Sequence, residues 1–544
     1  MSDNSFSLSG QIIDLVQSRI FPGKINVSDG KIAKITELPS AEGRYIMPGF
    51  VDAHIHIESS MVPPTEFGRM AVCHGTVATV SDPHEIANVL GVEGIDYMIR
   101  SGKRGHFKFY FGAPSCVPAT PFETAGGALD AEAIEELMAR DDIYYLAEMM
   151  NYPGVLAEFP DVMKKLEAAK KHGKPIDGHA PMVTGDDIRK YIGSGISTDH
   201  ECHVIEDAVE KIKLGMKILI REGSAAKNFE ALIPLMAEYP EMLMFCSDDK
   251  HPNDLVKGHV NLLVKRALEK GYKLMDVLRA ASLNAIRHYH LDVGLLQEGD
   301  DADFIVVDNL NDFNVKQTYI KGRLMAENGV SLVQWRKEEA INNFHATHIQ
   351  PEALSVPDQG QPIKVIASME GNLITNTIVA EPKVVEGNMV SDTSRDILKM
   401  VVLNRYQQAP PAIGFINNFG LKRGAIATSV AHDSHNIVAV GCSDEEIARA
   451  INLLVETKGG MVACSDTEFA LLPLPVAGLM SLEDGWQVAA EYERADKLAH
   501  EFGCTLYSPF MTLSFMALLV IPELKLSDKG LFDVSHFGFT KLTV

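Results

Sequence analysis

The chain has 544 residues, 46% of them hydrophobic and 23% charged, and a formal net charge of −23 at neutral pH. That length implies two or three domains with a large core, and the acidic balance argues against nucleic-acid backbones and anionic membranes as partners. The seven cysteines contain no CxxC pair, which excludes a thiolate zinc site and a disulfide framework. The polar start MSDNSFSLSG lacks the layout of a signal peptide, and the longest apolar run, near Phe510 to Ile521, is far too short for a membrane span, so a cytoplasmic protein is expected.

In chain order, residues 10–40 carry short strand patterns (DLVQSRI, KINVSDGKIAKI), expected as the N-terminal part, over 1–45, of a small β domain. Residues 46–290 alternate β-type runs with amphipathic helical segments. The runs are YIMPGFVDAHIHI, TVATVSD, FKFYFGAPS, IYYLAEM, KPIDGHA, GISTDHE, MKILIRE and EMLMFCSDD; the helical segments include AEAIEELMAR, PDVMKKLEAAKKHG and IEDAVEKIKLG. Eight β/α units in this length predict a (β/α)8 TIM-like barrel within an α/β chain. Residues 291–340 supply return strands (DADFIVVDN, VKQTYIKGRL) to the small β domain. The stretch HIQPEALSVPDQGQP reads as a linker. Residues 361–544 form a C-terminal α/β (α+β) domain with strands in GAIATSVA and NIVAVG and a helix in DEEIARAINLLVETKGG.

A strand alternates faces, so GFVDAHIHIESS at 49–60 puts His54 and His56 on one side, where two imidazoles can grip a metal ion. Alone, the pair describes equally well a half-buried strand with two histidines. Active sites of such barrels lie at the carboxyl ends of the strands. Strand one ends in His54 and His56, strand four in Glu148, strand five in His179, strand six in His200 and strand eight in Asp248. Singly, each has a plainer reading as a turn, cap or solvated strand end; together they point to one mouth. Four imidazoles and two carboxylates exceed the needs of one tetrahedral zinc. They fit two divalent ions bridged by a carboxylate and a water, with Mn, Fe(II) or Zn all compatible. With Asp248 as proton acceptor for that water, the set suits hydrolysis at an electron-poor carbon.

Further candidates lie close by. His84 and Glu85 in SDPHEIANVLG follow strand two and read either as substrate or proton-transfer groups or as a helix start. Asp249 and His251 flank Asp248 and suit orienting it or touching a substrate; Glu201 and His203 flank His200. The loop IREGSAAKN, with Arg221, Glu222, Ser224 and Lys227, suits closure over a ligand. AHDSHN offers His432, Asp433 and His435 as a lid or extra metal site, or as a polar turn between two strands.

The stretches PGFVDAHIHIESSM, SDPHEIANVLG, AEMMNYPGV, DGHAP, STDHEC, IREGSAAKN, CSDDKHPNDL, LKRGAIATSVAHDSHNIVAVG and LPLPVAGLMS resemble the adenine deaminase family of the amidohydrolase superfamily, over essentially the whole chain. The resemblance implies conversion of adenine and water to hypoxanthine and ammonia in purine salvage, with two divalent ions per chain, Mn2+ ahead of Fe2+ or Zn2+. It implies His54 and His56 on one ion, His179 and His200 on the other, Glu148 bridging both where many members have a carboxylated lysine, and Asp248 as ligand and proton shuttle. A homodimer is expected by the same analogy. The zinc nucleobase deaminases of the other fold pair HxE with PCxxC; His56, Ile57 and Glu58 give an HxE, but no PCxxC exists in the chain. Two alternatives stand beside this expectation. One is a cyclic amidohydrolase of the dihydroorotase or allantoinase type, disfavoured by Glu148 and by the long C-terminal region. The other is a metal-binding scaffold without catalysis, disfavoured by Asp248.

Overall fold

The computed structural model describes residues 5–41, 43–224, 226–370 and 372–544. Residues 1–4, the start of the polar stretch read above, and residue 225 in IREGSAAKN lie outside the described residues. Two compact units are present. The first holds the chain up to His84 together with Asp96–Cys116 and Leu129–Arg336; the second holds Glu85–Ile95, Val117–Ala128 and Lys337–Val544.

Within the first unit all eight expected barrel strands form: Phe50–Ile55, Thr76–Ser81, Lys108–Phe111, Leu146–Met149, Ile176–Gly178, Thr198–Asp199, Lys217–Arg221 and Leu243–Cys246. Parallel ladders join strands one to three, four to five and six to eight, and a parallel bridge between Ala113 and Leu146 links three to four. The ring closes between the last and the first, where the Asp248 amide donates to the His54 carbonyl at 2.8 Å and the His56 amide to the Asp248 carbonyl at 2.9 Å. The first strand is buried at every residue, as expected for a parallel barrel wrapped in helices. The helices Ala131–Met138, Pro160–Lys171 and Ile205–Lys213 occupy the expected amphipathic segments. Asp130 caps the first of these by accepting from the Ala133 amide at 2.9 Å.

Beside the barrel strands, one eight-stranded sheet draws on both flanks of the barrel segment. Its order is Val330–Ser331, Arg323–Glu327, Val315–Ile320, Phe304–Val307, Tyr45–Pro48, Phe6–Asp14, Arg19–Ser28, Lys31–Glu37. Tyr45–Pro48 thus leaves the expected first barrel run and pairs antiparallel with Phe304–Val307. The chain passes from sheet to barrel at Gly49, where a Cβ would lie 2.3 Å from Val77 Cγ1, so only glycine fits.

The second unit is built on an eight-stranded, mostly antiparallel sheet in the order Asn372–Ala380, Ile363–Met369, Ala412–Asn417, Ile397–Leu403, Ile437–Gly441, Ala425–Thr428, Gly460–Cys464, Phe469–Pro473. The helix Asp444–Thr457 packs on it through Ile447, Ile451 and Leu454, and Ser443 caps that helix by accepting from the Glu446 amide at 3.2 Å. The stretch read as a linker belongs to this core: Leu354 is fully buried against Val401 and Leu403, and its carbonyl accepts from Lys399 at 2.7 Å. Proline and glutamine made it resemble a spacer, but one buried leucine docks it. No helix among the described residues is long and apolar enough to cross a membrane.

Candidate functional site

The barrel brings the six expected residues of its strand ends into one cluster, buried except at His179, which is half-buried. Glu148 lies in its middle: Oε1 is 3.3 Å from His56 Nε2, while Oε2 is 2.7 Å from His179 Nδ1 and 3.2 Å from His200 Nε2. Asp248 Oδ1 is 3.3 Å from His54 Nε2 and 3.2 Å from His56 Nε2. The rings of His54 and His200 stack with centroids 4.3 Å apart. Asp248 has a left-handed φ of 55°. Aspartate tolerates this region better than most residues, and it lets the chain turn its carboxylate inward just after the strand.

Burial pushes the Glu148 carboxyl up, but His179, His200 and His56 outweigh it and hold the group well below the usual carboxylate range. Burial likewise opposes ionisation of Asp248, and Arg221 with His54, His56 and His200 reverses that. His54 is lowered, mainly by burial and then by His200, which favours the neutral imidazole that a metal requires.

These residues fit divalent cations. Neither ring nitrogen of the fully buried His54 makes a hydrogen bond among the described residues, a costly state for a polar group unless a ligand meets it. Donor atoms of His54, His56 and Asp248 lie within 4.8 Å of one another, as do those of His54, Glu148 and His200, and those of His179, His200 and Glu201. A neutral and anionic N/O set of this kind is what first-row divalent ions bind.

The neighbouring candidates divide. His84 joins the cluster: its Nδ1 is 3.5 Å from Glu148 Oε1, and its ring lies 4.4 Å from that of His56. Asp82, which sequence reasoning missed, stands 3.2 Å from His84 Nδ1, and its donor atom groups with those of His56, His84 and Glu148. Its position two residues before His84 at the end of strand two was the available signal. Glu201 and Arg221 form an ion pair, and Arg221 Nη1 also donates to Asp248 Oδ2 at 2.6 Å. Arg221 is only 4% exposed, so it acts as a buried counter-ion and not as a side chain of a closing loop. His203 is exposed, 3.8 Å from Glu201. Asp249 accepts from Ser59, and the Ser224 hydroxyl donates to Asp254 at 2.7 Å while accepting from the His251 amide at 2.9 Å. Ser224 and the His251 backbone therefore brace the turn after strand eight.

In the second unit Glu85 is gripped by two imidazoles, His432 through Nδ1 and His435 through Nε2. His435 Nδ1 accepts from the Ala431 amide at 3.2 Å, and burial lowers its pKa to about 4, so the ring is neutral and donates from Nε2. His432 stacks on Phe515 with centroids 4.5 Å apart. The AHDSHN segment is a turn between the strands Ala425–Thr428 and Ile437–Gly441, and it clamps a glutamate as well.

Two family descriptions match the chain: "Amidohydrolase family" over residues 45–325 and "Adenine deaminase C-terminal domain" over residues 372–538. The adenine deaminase of Methanosarcina acetivorans is 57% identical over 544 residues, covering 98% of each chain. That of Salinibacter ruber is 52% identical over 98% of each, and that of Borreliella burgdorferi 46% identical over 98% of this chain and 99% of its own. Likeness at this level extends through the barrel that carries the His, Glu and Asp cluster and through the C-terminal unit alike, and the chain belongs to the adenine deaminase family of amidohydrolases.

Proposed function

We propose that this chain hydrolyses adenine to hypoxanthine and ammonia at the cluster centred on Glu148 and Asp248. The observation that carries the reading is full-length identity of 46–57% to adenine deaminases from archaea and bacteria, covering both units. Glu148 in place of the lysine expected of a cyclic amidohydrolase speaks against that alternative.

His54, His56, Glu148, His179, His200 and Asp248 would hold two divalent ions, which supply Lewis acidity at the mouth of the barrel when bound. Manganese suits the mixed nitrogen and oxygen donors, with iron(II) and zinc as alternatives. The chemistry replaces the C6–N bond of the purine by a C6–O bond, and two protons must move: one reaches the ring nitrogen as the tetrahedral carbon forms, the other reaches the departing amine. Arg221 occupies Oδ2 of Asp248 and leaves Oδ1 on the His54 and His56 side, where it takes a proton from the attacking water and hands it on. His84, backed by Asp82, is the second proton carrier at this mouth. Seven free thiols support a reducing, cytoplasmic setting, consistent with a role in purine salvage.

The test is ammonia release from adenine, with adenosine and cytosine as controls, on protein supplied with Mn(II). Activity on adenine that disappears in Asp248→Asn while two metals per chain are retained is expected. No turnover despite two bound metals would remove the substrate assignment.

A further inference from the structure

Beneath His54 and Asp248 lies a second buried Asp–His pair. Asp52, fully buried, sits two residues before His54 on the first barrel strand. Its Oδ1 accepts from the Ser247 amide at 3.0 Å and the His54 amide at 3.3 Å, and its Oδ2 accepts from the Ser247 hydroxyl and from His259 Nε2 at 2.8 Å. His259, 1% exposed, keeps its other nitrogen for Thr76: Nδ1 and Thr76 Oγ1 are 2.7 Å apart. Nε2–H donates to the carboxylate, and a partner on each ring nitrogen fixes the ring orientation. Phe67 meets the ring edge to face, with centroids 5.7 Å apart.

One carboxylate with four donors therefore joins strand one (Asp52, His54), strand eight's exit (Ser247) and, through His259, the start of strand two (Thr76). This is the seam at which the barrel closes, and Ser247 directly precedes Asp248, whose left-handed backbone costs conformational energy unless its surroundings fix it. A fully buried charge with every lone pair engaged is expensive to build and rigid once built.

We propose that Asp52 and His259 are positioning residues for the deaminase: they set the spacing of His54 against Asp248, and with it the affinity of the cation site and the aim of the proton-accepting carboxylate. The proposal rests on the metal-dependent reading above, but its first test needs no substrate. Metal-stripped protein is titrated with Mn(II) against a chromogenic chelator, for the parent chain and for His259→Ala, His259→Gln and Thr76→Val. His259→Ala should bind Mn(II) about 10- to 100-fold more weakly, the range seen when a group supporting a metal ligand is removed. His259→Gln, whose amide still donates to Asp52, should recover most of that loss, and Thr76→Val should lose about 2- to 5-fold, a fraction of the same range. With adenine, kcat should fall in the same order while KM changes little. Unchanged Mn(II) affinity in His259→Ala or in Thr76→Val, or equal losses in His259→Ala and His259→Gln, would overturn the proposal. If His259→Ala does not fold, Thr76→Val decides. Normal metal binding without turnover of adenine by the parent chain would instead count against the substrate reading alone.

Discussion

Removing the Arg221 guanidinium isolates the electrostatic control of Asp248. Arg221 is buried between Glu201 and Asp248 and is the leading influence holding the Asp248 carboxyl down against burial. A pair of unit charges about 4 Å apart at an effective dielectric of about 20 is worth ~4 kcal/mol, equivalent to about three pKa units at ~1.4 kcal/mol each. Cations bound to the same carboxylate oppose protonation, so the shift expected in Arg221→Met is nearer the low end, about one unit. Since Asp248 must be ionised to accept a proton, its folded-state value moves up toward neutrality and the acid limb of kcat/KM moves to higher pH by that amount. The fold also weakens, by about 3–5 kcal/mol, because two buried carboxylates lose their counter-ion. Arg221→Lys keeps the charge on a compact ammonium without the planar guanidinium fork and should hold the acid limb in place while lowering kcat. The assay is initial-rate ammonia release from adenine from about pH 3 upward to pH 8, a window that spans the ordinary carboxylate range near 4, at metal saturation, for the three proteins. An acid limb and kcat in Arg221→Met equal to those of the parent would refute the view that this arginine tunes Asp248.

Three further outcomes are expected. Lys525 is buried, donates among the described residues to the Leu373 and Phe515 carbonyls, and burial lowers its pKa to about 7. Its folded value lies below its unfolded one, so the stability it removes is largest below pH 7 and is regained as pH rises toward 10.5; at ~1.4 kcal/mol per unit, urea midpoints at pH 7 and 9.5 should narrow the gap between Lys525→Met and the parent by about 3 kcal/mol, and a gap independent of pH contradicts this. Chelation at neutral pH should abolish activity and lower the thermal midpoint, with both restored by Mn(II), since saturation at about a thousand times Kd contributes ~4 kcal/mol; a midpoint indifferent to chelator argues against buried cation ligands. In Gly178→Ala a Cβ would lie 2.4 Å from the Thr198 carbonyl oxygen, forcing apart the strands that lead to His179 and His200. A loss of about 1–3 kcal/mol with weakened Mn(II) binding is expected, and an unaltered protein would mean that this strand pair has slack.

The barrel was legible because each strand is a short apolar run bounded by turn residues, and because its chemistry falls at run ends where the period-two rule fixes the face. The same rule places Asp52 beside His54 and His56, yet an aspartate has no visible role until its donors are known, and these come from residues 195 and 207 positions away. The division at Gly49 was hidden for a related reason. The apolar run YIMPGFV continues across Gly49 without a break, and only the partners of each half, Phe304–Val307 for one and Thr76–Ser81 for the other, separate sheet from barrel.

Arg221 shows where local reading fails. In IREGSAAKN it stands among small and polar residues that look like a mobile loop, and its number of donors suits a ligand. What decides its role is the presence of two carboxylates, Glu201 and Asp248, on the strand exits to either side of its own. Neighbouring exits in a parallel barrel are close in space but some twenty or more residues apart in sequence, so no short window contains the triplet. Once the eight strands are assigned, however, the triplet follows from strand order alone: exits six, seven and eight carry acid, base and acid around one mouth. An uncompensated carboxylate pair there would resist ionisation, and a proton acceptor has to be ionised. The counter-ion is therefore as much a requirement of the proposed chemistry as the ligands are.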